Sequence, residues 1–119
     1  MKPATLFDSE WKLMEILWES GPTSAKEASR LAADRIGWNK NTTYTVLKKL
    51  VDKGYLDRSE PGFVCTARIG REDARTEETS HLIDRLFDGS KKAFFSHFQD
   101  RKDLTPEEID ALRTLLEDR

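Results

Sequence analysis

Five residues carry the most specific chemistry in this chain: Asn41, Thr42, Thr45, Lys48 and Lys49. The spacing predicts a helix that starts after Asn39 or Lys40 and ends at Gly54. At about 100° per residue, Thr43, Val46, Leu47, Leu50 and Val51 form its inward stripe. The opposite face is Asn41, Thr45, Lys48 and Asp52, flanked by Thr42 and Lys49. Such a face suits the major groove of B-DNA, which admits an α-helix. Asparagine can pair bidentately with adenine, and threonine can hydrogen-bond a base edge or pack on a thymine methyl. Lysine contacts guanine or phosphate. A solvated helix face needs the same residue types, so no single one of them is decisive. Lys40, Lys53 and Arg58 add positive charge around this face, and Arg68 follows further on.

Other chemistries find little support. Cys65 is the only cysteine and lies in a β-type run, where a small packed residue is expected. His81 and His97 are sixteen residues apart with no neighbouring cysteine, so the spacing supplies no metal-ligand set. No nucleophile-base arrangement and no Gly-rich phosphate loop occurs. The chain is therefore expected to be neither an enzyme nor a cofactor or metal binder.

The elements that must position the polar face follow from the pattern around it. A first helix is predicted over residues 9–20, with Trp11, Leu13, Met14, Ile16, Leu17 and Trp18 at helical spacing, Asp8 as N-cap and Gly21-Pro22 as stop. Ser24 and Glu27 form a capping box opening a second helix through Ala28, Leu31 and Ala32 to about Arg35. After the polar helix, Tyr55–Ser59 and Phe63–Ala67 are short β-prone runs around Glu60-Pro61-Gly62, which predicts a hairpin. The remainder is expected to be helical. A charged segment, Arg71 to Ser80, leads into His81–Phe87, and Gly89 ends that helix. A second piece carries Phe94, Phe95 and Phe98. A third opens with the capping box Thr105–Glu108 and carries Ile109, Leu112, Leu115 and Leu116.

The expected class is mainly α with a small β-hairpin. Residues 1–69 read as a winged helix-turn-helix DNA-binding domain and residues 70–119 as a helical dimerisation region. Three short helices do not easily bury Leu82, Leu86, Phe87, Phe94, Phe95, Phe98, Ile109, Leu112, Leu115 and Leu116 alone, so a second copy of the chain is the expected cover.

Composition agrees. At 119 residues with 37% hydrophobic and 35% charged, this is one ordinary domain, or a small domain plus an extension. No run approaches the ~18 apolar residues of a membrane span. No secretory h-region opens the chain, and the single cysteine points to the reducing cytoplasm. The net charge of −2 conceals a division. Residues 1–69 hold 11 Lys/Arg against 9 Asp/Glu, and residues 70–119 hold 9 against 13. Residues 38–58 alone carry a net +3.

The stretch from Phe7 to Trp18, the Ser24–Glu27 box and above all Trp38–Gly54 resemble the penicillinase repressor family of BlaI/MecI type. The resemblance resumes at Leu86-Phe87-Asp88-Gly89 and at Leu104–Ile109, so it covers nearly the whole chain. It implies a homodimeric repressor whose winged helix binds a palindromic operator and whose C-terminal helices dimerise. The matching contact positions are Asn41, Thr42, Tyr44, Thr45 and Lys49. Tyr44 stands where close relatives carry arginine; it has neither a cation nor a forked donor, so the family's usual operator does not carry over with it. The copper-responsive branch has paired cysteines near its C-terminus, and this chain has none there. The β-lactam-responsive branch is inactivated by proteolysis beside an Asn-Phe pair. The matching position is His97-Phe98, which implies a membrane-bound sensor protease as a further partner. Packing alone also accounts for the phenylalanines. The competing function is a winged helix that docks proteins without touching DNA, a reading the acidic pI of about 5.7 favours.

Overall fold

The computed structural model describes residues 6–101 and 105–117; Leu104 and the side chains of Leu115 and Leu116 lie outside the described residues. Helix α1 spans Asp8–Ser20. Asp8, expected as its N-cap, is instead its first residue, and Phe7 occupies the cap position. The Phe7 N–H donates to the Glu10 carboxylate at 2.7 Å, the half of a capping box in which the third helical residue satisfies the N-cap amide. Gly21, at φ 77°, ends the helix.

Strand β1 is the pair Thr23–Ser24, and α2 covers Ala25–Ile36. Ser24 caps α2 as expected, its Oγ accepting from the Glu27 N–H at 3.1 Å. Helix α3 covers Lys40–Asp52. Asn39 caps it through Oδ1, which accepts from the Thr42 N–H at 2.8 Å, and Gly54 follows its last turn at φ 87°.

The hairpin is β2, Leu56–Ser59, and β3, Val64–Ala67. Leu56 faces Ala67 and Ser59 faces Val64 in antiparallel register. The hairpin expectation holds but is incomplete, because β1 pairs with the other edge of β3, Thr23 opposite Cys65. The sheet order is β1-β3-β2. Three helices, with β1 between the first two and the hairpin after the third, make a winged helix-turn-helix.

The core of this unit is continuous. Leu13, Met14 and Leu17 of α1, Ala25, Ala28 and Ala32 of α2, and Leu47 and Leu50 of α3 are buried with Tyr55, Leu56 and Cys65. Three alanines on one face of α2 let its backbone approach its neighbours closely. Large residues from α1 and α3 fill the remaining space. The Trp18 indole N–H donates to the Ile69 carbonyl at 2.8 Å and holds the chain leaving β3 against α1.

The chain divides into two compact units, one ending at Arg71 and the other starting at Glu72. In the second region, α4 spans Arg71–Phe87, α5 Lys91–Arg101 and α6 Pro106–Glu117. The charged segment from Arg71 is therefore the first half of a single long helix. Glu72 and Asp73 suit its N-terminal dipole, and Glu72 pairs with Arg75 at 2.7 Å. The Thr105–Glu108 capping box closes in both directions, at 2.9 and 3.1 Å.

Ile83 and Phe94 form a small core, with Leu82, Phe87, Phe95, Phe98 and Leu112 packed against it. Phe94, expected at the dimer seam, is already covered within a single chain, with Phe98 5.0 Å and Phe87 5.8 Å away. Leu86 is different, 60% exposed.

Candidate nucleic-acid interface

Helix α3 owes its orientation to its buried stripe. Thr43, Val46, Leu47 and Leu50 face the core, and Thr43 also donates its hydroxyl to the Asn39 carbonyl at 3.3 Å. With that side fixed, Asn41, Thr42, Thr45, Lys48 and Lys49 are all exposed. Lys40 is exposed at the N-terminal end of the same helix.

Three predicted contact residues have other engagements. Tyr44 is half-buried; its ring meets the Phe63 ring edge-on at 6.0 Å, and the Lys40 ammonium lies 5.6 Å from its centroid. Lys53 donates to the Glu10 carboxylate at 2.6 Å and sits 4.2 Å over the Phe7 ring. Glu10 is only 1% exposed, so Lys53 offsets a buried charge. Arg58 remains exposed on the wing, but its guanidinium stacks 3.6 Å over Phe63 and pairs with Glu60. That Arg58 contact, then the Phe63 N–H, holds the Glu60 carboxyl below the usual carboxylate range. Arg68 pairs with Asp57 at 2.6 Å. The wing arginines are thus oriented by their own hairpin, and part of their charge is offset there.

A cleft of about 700 Å³ opens where α2 meets the start of α3. Lys26, Arg30 and Lys40 line it with Trp38, Asn39 and Glu27. Arg30 donates to Glu27 at 2.7 Å, which lowers the carboxyl's proton affinity and raises the guanidinium's. Three cations against one carboxylate leave this cleft positive, next to the exposed face of α3. Lys26 and Arg30 were not among the predicted contacts. Their signal was present in the sequence: two basic residues four apart, just inside a capped helix start, share one helix face.

Cys65 is fully buried, opposite Arg58 in the sheet, and burial pushes its thiol pKa up. Among the described residues, no group of three His, Cys, Asp or Glu could hold a metal ion. His97 is exposed on α5, its ring 5.7 Å from Phe87 and 5.2 Å from Phe98. The 97–98 peptide bond lies inside a helix.

Comparison with known proteins gives a consistent result. The family model described as "Penicillinase repressor" matches residues 6–118. The methicillin resistance regulatory protein MecI of Mammaliicoccus sciuri is 24% identical over 97% of this chain and 95% of its own length. The penicillinase repressor of Bacillus licheniformis is 26% identical over 93% of this chain and 88% of its own. A 16.5 kDa protein of Latilactobacillus sakei, described as uncharacterized, is 28% identical over 91% of this chain and 75% of its own.

Proposed function

Because the chain belongs to the penicillinase repressor family, we propose that it is a homodimeric, sequence-specific DNA-binding repressor of transcription. The observation that carries this reading is the exposed face of α3. Asn41, Thr42, Thr45, Lys48 and Lys49 project together from a helix whose other side is locked in the core. The wing beside it and the positive cleft at its N-terminal end extend that surface. In this arrangement Thr45, Asn41 and Thr42 read base edges, while Lys48, Lys49, Lys40, Lys26 and Arg30 meet the backbone.

Residues 1–69 act as the reading domain and residues 70–119 join two copies. Leu86 is open, and Phe87, Phe95, Phe98, Ile109 and Leu112 are only partly covered, which supports a seam between copies there. A two-fold dimer reads an inverted repeat. The likeness to a methicillin resistance regulator and to a penicillinase repressor supports genes of antibiotic resistance as targets, with cell-wall-stress genes a second class. Release follows from cleavage at His97-Phe98 by a membrane-bound sensor protease. A cut there separates α6, with Leu112, from the Ile83–Phe94 core. The bond lies within α5, so the helix must open locally before a protease can reach it. Among the described residues no helix is long and apolar enough to cross a membrane, and the reading places the repressor in the cytoplasm.

The test is a salt titration of binding to the DNA upstream of its own gene, with random DNA alongside. Affinity for both should fall steeply with salt as counterions are released, with the upstream site tighter throughout. Binding to neither DNA would leave the protein-docking alternative in its place.

A further inference from the structure

We propose that Tyr44 is a positioning residue that joins the recognition helix to the wing, and not a base contact. It differs from the other predicted contacts on α3. Asn41, Thr42, Thr45, Lys48 and Lys49 are exposed, whereas Tyr44 is half-buried with its ring perpendicular to that of Phe63. Edge-to-face packing at this separation is a favourable aromatic geometry. The two rings stand in a row with a cation at each end: Lys40 beside Tyr44, and Arg58 over Phe63.

Phe63 is held by more than its ring. It is 8% exposed and adopts φ 49°, the left-handed region that residues other than glycine rarely occupy. Its N–H donates to the Glu60 carboxylate at 3.2 Å. Its carbonyl accepts from the N–H of Ala25, the first residue of α2, at 2.9 Å. The base of the wing turn is therefore tied to α2 through its backbone and to α3 through Tyr44. The turn residues Glu60, Pro61 and Gly62 are exposed beyond it. A DNA ligand that spans α3 and the wing meets two elements whose relative position is set by this ring pair. Tyr44 acts through Phe63 on where the wing sits.

The DNA part of the inference rests on the reading of α3 as a recognition helix; the coupling to the wing does not. Both are measured on the full chain with Y44F, Y44A, F63L and the double variant Y44A/F63L. The first readout is amide hydrogen exchange in the free protein. Y44A should speed exchange across residues 58–64 by about three- to ten-fold, leave α1 unchanged, and be rescued by Y44F. The second readout is operator affinity. Y44A and F63L should each weaken it, and the double variant should be little worse than F63L alone. Three results would overturn the proposal: unaltered wing exchange in Y44A, faster exchange throughout the first unit, or a Y44F defect as large as that of Y44A. The last would make the hydroxyl itself a DNA contact. If the wild type bound no DNA, the recognition-helix reading would fail, and the exchange data would still decide the coupling. Should F63L not fold, the Y44A and Y44F pair decides alone.

Discussion

Thr45 lies midway along the exposed face of α3, where a side chain can be changed without disturbing the core. A base-edge contact acts only on the right sequence, whereas a phosphate contact acts on any sequence. Thr45→Ala is therefore expected to weaken operator binding by about ten-fold and leave random-DNA binding nearly unchanged, as competition titrations would show. Lys49→Ala should weaken both and lower the salt slope by about one unit. Equal losses for Thr45→Ala on both DNAs would move the reading face elsewhere. Cys65 gives a residue-scale prediction independent of DNA. Buried and held in the thiol form, it should react with an aromatic disulfide reagent only as fast as the first unit opens, and promptly in denaturant. Prompt reaction of the folded chain would contradict its placement in β3.

Between elements, Glu10 and Lys53 form the notable electrostatic link. Glu10 belongs to the first turn of α1, and Lys53 follows the last turn of α3. One carboxylate oxygen accepts from both the Phe7 N–H and the Lys53 ammonium, so the pair secures the end of the recognition helix to the start of α1. Deleting one partner strands a buried charge, whereas replacing both removes the desolvation cost as well. Lys53→Met should destabilise the chain by roughly 2–4 kcal/mol in urea unfolding, less than a fully buried pair because Lys53 keeps some exposure. Adding Glu10→Gln should recover part of that loss. Additive losses would show that the two side chains do not act as a pair.

For the whole molecule, the proposed seam between copies is expected to decide affinity. Joining two half-site readers raises the effective concentration of the second one, so dimerisation multiplies operator affinity without a new DNA contact. A fragment of residues 1–71 should sediment as a monomer and bind the full operator at least a hundred-fold more weakly than the intact chain, an order-of-magnitude expectation. A stable dimer of that fragment would remove residues 72–119 from the role assigned to them. The inverted repeat should have half-sites about one helical turn apart, which footprinting measures. In the native host, an immunoblot before and after a cell-wall antibiotic should show full-length protein lost as the regulated gene is induced. Induction with the intact chain undiminished would exclude cleavage.

Periodicity and capping chemistry are local, and they determined what the sequence could show by itself. The inward stripe of α3 was legible because a 3.6-residue period leaves little freedom once Thr43, Val46, Leu47 and Leu50 must be buried. Asn39, Ser24 and the Thr105–Glu108 pair were legible because a cap and its amide lie within three residues. The hairpin followed from one turn between two β-prone runs. What only the tertiary structure decided is what distant residues do to each other. A two-residue strand such as Thr23–Ser24 has no period of its own and exists because Cys65 and Val64 pair with it. The Lys53 pairing with Glu10 was not legible because the two are 43 residues apart. The Tyr44 contact with Phe63 was not legible because Phe63 belongs to another element. The cover of Phe94 within one chain was not legible because part of it comes from α4 and α6. In each case the sequence specified the side chain's chemistry, and long-range packing selected its partner.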